Sequence, residues 1–234
     1  MSNISIEALK ESICEGGKIL THKGLVEGFG HISARVPGEK KFLITTRKAM
    51  GFVTPGEIEE VSFCGTKLTK RSLEGAPNEV FLHAEVYKAR PEVQAIARTQ
   101  SPACEVFGIR MEPVKVVHDF GAILMGEIDV LDEPLLGDAK DVGTKMVQKL
   151  GEKNAILLRG NGNVVLGSSI QEAVVRAVFL DESARLQLQA RSLAESFKVH
   201  YFSPWEIQTN GTALSRPDRI QRAWDNWLLL AKGG

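Results

Sequence analysis

Four side chains carry most of the chemistry this sequence offers: Glu79, Arg98, Gln100 and Asn161. Glu79 stands at the start of a predicted helix, where the macrodipole favours a carboxylate. His83 follows one turn later, on the same helical face. Arg98 and Gln100 are two apart on a predicted strand and so share a face. Arg98 is a permanent cation without an acceptor lone pair, suited to pairing with a carboxylate or to neutralising a developing anion. A structural salt bridge, with Glu79 itself as partner, is the alternative role. Gln100 and Asn161 offer neutral amide oxygens, poor ligands for a hard cation without carboxylates.

Other candidates flank this set. Gly28-Phe29-Gly30-His31-Ile32-Ser33 is a glycine-rich loop whose backbone N–H groups can cradle an anion. Thr45-Thr46-Arg47-Lys48 and Arg159 add hydroxyls and positive charge, against the plainer reading of solvated surface groups. His118 follows an apolar run and is a candidate acid/base near neutral pH, or a structural histidine. Cys14, Cys64 and Cys104 are widely spaced and odd in number, which favours buried thiols over a disulfide framework, with a nucleophilic Cys104 as the alternative.

The elements that position these groups follow from periodicity. Ile4 to Leu20 predicts an opening amphipathic helix that ends near Lys23-Gly24. Phe42–Thr45, Val93–Thr99 and Val114–Val117 read as strands. Asn78 is the predicted N-cap of a helix stopped by Pro91. Asp132–Leu150 reads as a helix closed by Gly151. Ala155–Leu158 and Asn163–Leu166 flank Asn161-Gly162, a dipeptide that accepts the positive φ angles of a tight hairpin. Ser169 and Glu172 form a predicted capping box before a long helix. A last helix follows Pro217, with Trp224 and Trp227 on its apolar face. Strands and helices intermix, which favours a layered α/β or α+β fold.

Composition narrows the classes. With 43% hydrophobic and 25% charged residues among 234, the chain can bury the core of one large domain. Its 29 basic and 29 acidic residues cancel, so no electrostatic footprint for nucleic acid or an anionic membrane exists. No secretory signal or 18-residue apolar run is present, and a reducing cytoplasm is the expected location.

The glycine loop, the Asn78-Glu79 helix start, Arg98-Thr99-Gln100 and the turn Gly160-Asn161-Gly162 together resemble the class II aldolase/adducin family over roughly residues 5 to 200. The resemblance implies a three-layer α/β/α fold with a mixed, largely antiparallel central sheet, a single domain over 1–234 with residues 205–234 as a helical extension, and a homotetramer with clefts between subunits. In that family the residue matching Glu79 is the general acid/base, and histidines at the positions of Arg98, Gln100 and Asn161 bind a divalent metal. This chain is identified as a divergent member lacking those histidines, and no metal or other cofactor is expected. His31 stands where the family usually has Asn. Pro77-Asn78 replaces a phosphate-holding serine pair, which weakens a phosphate cradle. The expectation is a lyase, an aldolase or decarboxylase, acting on a small carboxylated carbonyl or aromatic compound. Glu79, Arg98 and His118 would be catalytic. Gly30, His31, Thr45, Thr46, Arg47, Gln100, Arg159 and Asn161 would bind substrate. Opposing influences on Glu79, burial against Arg98 and the helix dipole, are expected to let it exchange protons near neutral pH. A rearranged metal site of His31, Glu79 and His118 and a non-catalytic scaffold like the adducin head are the alternatives.

Overall fold

A computed structural model describes residues 5–133, 139–193 and 198–233. Among the described residues, seven strands form one mixed sheet: β1 (His31–Arg35), β2 (Lys41–Ile44), β3 (Glu59–Ser62), β4 (Ala95–Thr99), β5 (Val130–Leu131), β6 (Ala155–Leu158) and β7 (Asn163–Gly167), in the order β3-β2-β1-β4-β7-β6-β5. All neighbours are antiparallel except β5 and β6.

Alternation along the strands divides the core in two. Ile32, Ala34, Ala95, Ala97, Leu157 and Val165 face the side covered by α1 (Ile6–His22), α3 (Pro102–Arg110), α5 (Ile170–Ser192) and α7 (Pro217–Ala231). Phe42, Ile44, Ile96, Ile156, Val164 and Leu166 face α2 (Val80–Ala89) and α4 (Ala139–Leu150). The result is the expected three-layer arrangement. No described helix is long and apolar enough to cross a membrane.

Several local expectations shift. The N-cap of α2 is Glu79, whose side chain makes no capping bond, so Asn78 lies one residue outside the helix. Val114–Val117 is not a strand: Val114 makes one bridge to Ile128, while Lys115 N–H donates to Gln187 Oε1 at 2.9 Å and Val116 C=O accepts from Phe202. Its backbone groups are satisfied without a ladder. Asp132 and Glu133 are not helical, α4 begins at Ala139, and the part of that expectation over 134–138 lies outside the described residues, as does Ile4 of the first helix. Ser169 caps α5 by accepting from Glu172 N–H, but the Glu172 carboxylate turns to the Ser168 N–H and hydroxyl, so the predicted box is only half formed. The sequence reading missed two helices, α3 and α6 (Pro204–Leu214); α6 carries a full capping box of Ser203 and Glu206.

At the β6–β7 turn the positive φ angles fall on Gly160 (62°) and Gly162 (69°), not on Asn161. A Cβ on Gly162 would sit 2.0 Å from Thr99 O at the end of β4. Only glycine permits this approach, which sets Asn161 beside β4. Gly162→Ala is expected to destabilise the protein by more than ~1 kcal/mol, the scale for a left-handed glycine replaced where space is lacking. Denaturant unfolding checks this; unchanged stability would mean the turn can move aside at little cost.

Candidate active site

The site lies on the α2 side of the sheet, where β1, β4 and the β6–β7 turn meet. Antiparallel pairing sets His31 directly opposite Arg98. Gly30, just before β1, has φ 135°, and a Cβ there would come within 2.9 Å of Arg98 O. These residues, with Gly28, Phe29, Arg47, Asn78, Glu79, Gln100 and Asn161, line a cavity of about 240 Å³.

Arg98 is 2% exposed, yet it faces no carboxylate within ion-pair distance among the described residues. Its Nη2 donates to Asn161 Oδ1 and, at 3.4 Å, to Asn161 O. Its Nε is buried without a hydrogen-bond partner among the described residues. Gln100 Nε2 also donates to Asn161 Oδ1, at 3.1 Å. Leaving a buried donor unpaired costs ~1–3 kcal/mol, and such a group calls for an explanation.

Glu79 is half-buried and its ionic neighbour is His31, not Arg98: His31 Nε2 stands 3.5 Å from Glu79 Oε2. The interaction with His31, assisted more weakly by the Arg98 charge, outweighs desolvation and holds the carboxyl down to about 2. The expectation of proton exchange near neutrality is therefore corrected: in the free protein Glu79 is a settled carboxylate. Burial pushes His31 down and His83 well down, so both imidazoles are neutral. Behind His31 runs a buried series. His31 Nδ1 lies 3.4 Å from His83 Nε2, His83 Nδ1 lies 2.7 Å from Ser33 Oγ, and Ser33 Oγ lies 2.7 Å from Tyr87 Oη. Ser33 entered the sequence reading only as the end of the glycine-rich stretch, and Tyr87 was not a candidate. Their signal was periodic: Ser33 is two residues from His31 on a strand, and Tyr87 is one turn from His83 on a helix.

The remaining candidates lie apart. Thr45 Oγ1 accepts from Ile32 N–H at 3.3 Å, and Thr46 Oγ1 from Lys48 N–H at 3.2 Å; both are buried and neither lines the cavity. Arg47 is exposed at the rim, with Nε donating to Glu74 O. Arg159 is exposed and paired with Asp132. His118 Nε2 is 2.9 Å from Ser183 Oγ on α5, outside the cavity, so it does not join His31 and Glu79. Cys104 is buried, with its thiol pushed up to about 12, which disfavours a nucleophile; Cys14 is also buried, whereas Cys64 is exposed, contrary to the expectation for all three.

The family described as Class II Aldolase and Adducin N-terminal domain matches residues 11–188. The chain belongs to this family. Its relatives include 3,4-dihydroxyphthalate decarboxylase from Rhodococcus jostii (strain RHA1), 31% identical over 88% of this chain and 90% of that protein. The enzyme described in the same words from Arthrobacter keyseri is 29% identical over 81% of both chains. Among solved structures, L-fuculose 1-phosphate aldolase from Glaciozyma antarctica PI12 superposes with a TM-score of 0.81 at 20% identity, covering 98% of this chain and 92% of that one. It shares the class II aldolase fold.

The divalent metal that this family implies does not fit these residues. A guanidinium occupies one position, and the amide oxygen of Asn161 is already taken by N–H groups from Arg98 and Gln100. Among the described residues, no group of three or more His, Cys, Asp or Glu side chains could hold a metal ion. Elemental analysis of purified protein is expected to find no stoichiometric metal that depends on Arg98, Gln100 or Asn161; about one ion per chain, lost on mutating any of them, would overturn this.

The Glu79 carboxyl also predicts an acid response. Its folded value of about 2 lies below the ordinary 4.5, so its contribution to stability is full above 4.5 and is lost as pH falls toward 2. The stability difference between wild type and Glu79→Gln should shrink across that window in denaturant titrations. A difference constant from pH 6 to 2 would show that Glu79 gains nothing from His31.

Proposed function

We propose that this protein is a carbon–carbon lyase that decarboxylates a small hydroxylated aromatic carboxylate. Support comes first from the decarboxylase relatives, which align over most of both chains. The observation that carries the proposal to this site is an ionised Glu79 sharing one cavity with a guanidinium whose Nε–H has no acceptor. The cavity is below the ~300–1,000 Å³ typical of drug-sized ligand sites, which suits a single-ring substrate.

Removal of a ring carboxylate needs a proton delivered to the carbon that bears it. The Glu79 carboxylate takes the proton of a ring hydroxyl, breaking the O–H bond and leaving a phenolate. Arg98 neutralises the charge on that oxygen, as a preorganised donor in a dry site does. The phenolate electrons make the ring carbon basic, and Glu79 returns the proton to it. The bond to the carboxylate then breaks, CO₂ leaves, and its electron pair restores the aromatic ring. The product departs as a phenolate that solvent protonates. Binding raises the effective basicity of Glu79, because a ring seated in the cavity removes water and brings its own negative charge close to the carboxylate. Arg47, at the rim, pairs with a second carboxylate where the substrate has one. A homo-oligomeric assembly, as the family resemblance implies, remains part of this proposal.

The test is CO₂ release from a panel of hydroxylated benzoates and phthalates. Turnover of at least one compound is expected, and Glu79→Gln should lower kcat by roughly 10²-fold or more, the usual scale of general acid–base catalysis. A folded wild-type protein that neither binds nor turns over any of them would sink the proposal and favour a scaffold.

A further inference from the structure

The buried series behind Glu79 has a direction. Its four contacts link Tyr87, Ser33, His83 and His31 in turn and end on Glu79 Oε2. Both imidazoles are neutral, so each carries one N–H and one lone pair. An ionised carboxylate facing His31 Nε2 requires the proton on that nitrogen, since two lone pairs would otherwise oppose each other. His31 Nδ1 is then an acceptor, and His83 Nε2 must be the donor toward it. His83 Nδ1 is left as an acceptor, and Ser33 O–H donates to it. Ser33 Oγ in turn accepts from Tyr87 O–H. Every group has one consistent role, and all four donations run toward Glu79. The opposite direction would put a lone pair of His31 against the carboxylate and leave the buried Tyr87 hydroxyl proton without an acceptor.

We infer that Tyr87, Ser33 and His83 are positioning residues that lock His31 as an Nε2–H donor to Glu79 Oε2, so that Oε1 is the oxygen that exchanges the proton with substrate. An oxygen that already accepts an N–H is a poor place for a proton. The contacts between the two rings and from His31 to Glu79 are long, at 3.4 and 3.5 Å, so the lock depends on direction more than on bond strength. The surroundings favour it. Ser33 and His83 are wholly buried, Tyr87 is 1% exposed, and Phe42 stacks on His83 at 6.2 Å. The charged groups around the series are Glu79, Arg98 from β4 and Arg35 from β1, whose guanidinium lies 5.0 Å over the Tyr87 ring. Two cations flanking the series oppose any further positive charge on either imidazole. Tyr87 is also a dead end: its hydroxyl reaches Ser33 and no solvent, so the series does not conduct protons out of the site.

The consequence for turnover rests on the decarboxylase proposal; the tautomers do not. Long-range proton–nitrogen NMR of the histidines in the wild-type protein reads them directly. Neutral Nε2–H forms are expected at both His31 and His83. An Nδ1–H form or an imidazolium at either, near pH 7, overturns the inference. Ser33→Ala should give mixed tautomers at His83 and move the acid limb of the kcat/KM profile upward, while Ser33→Thr, which keeps a hydroxyl, should restore the wild-type pattern. A Ser33→Ala protein with unchanged histidine signals and an unmoved acid limb also overturns it. The expected tautomers in a protein with no turnover would support the lock and count only against the decarboxylase assignment.

Discussion

A guanidinium buried in the middle strand of the sheet is the constraint to which the site is fitted. Arg98 lies between β1 and β7, opposite His31 on one side and Val164 on the other. Charge so deeply buried is costly unless it is paired and hydrogen-bonded. Here the compensation is partial. Asn161 supplies an oxygen, Glu79 supplies a field from across the cavity, and the Nε–H is left over. Glycine at 30 and 162 brings backbone close to β4 and holds the partners in reach. The fold thus tolerates an incompletely satisfied cation at the point where an anionic ligand would complete it.

Glu79 and Arg98 divide the electrostatic work without neutralising each other. Direct ion pairing would have tied up both side chains and left nothing for a ligand. Instead a neutral imidazole stands beside the carboxylate and an amide beside the guanidinium, so each charge keeps its identity at close range. The price is a polar series reaching back to Tyr87, all of it buried, that must be fully hydrogen-bonded to be tolerated.

Much of this was legible in the sequence. The strands around Phe42, Arg98 and Val164 announce themselves as short apolar runs, the helix after Glu79 by its apolar spacing and the stop at Pro91, and the turn at Gly160 by its glycines. Strand alternation put Arg98 and Gln100 on one face, and the family resemblance implied that Asn161 joins them. The electrostatics of Glu79 did not. They depend on β1 pairing antiparallel to β4, which brings His31 across from Arg98, and no local pattern contains that register. His118 misled because an apolar run next to a histidine resembles a cleft strand, whereas its ring bonds Ser183 on α5. Both α3 and α6 carry start signals, a capping serine followed by proline, at Ser101-Pro102 and Ser203-Pro204; α3 has only nine residues and follows β4 closely, so its apolar positions blend with the strand.

The mutual satisfaction of Arg98, Gln100 and Asn161 also bears on how readily the site could be converted. A histidine introduced at any one of the three positions would disturb a hydrogen-bonded set and still not assemble a chelate, because the other two positions would lack imidazole lone pairs. At 98 it would also remove the cation that assists Glu79. Under the proposed mechanism, single steps would therefore lose activity before they reached a metal centre. The three positions form one epistatic unit, so exchanging them for a metal centre requires concerted replacement, not gradual drift.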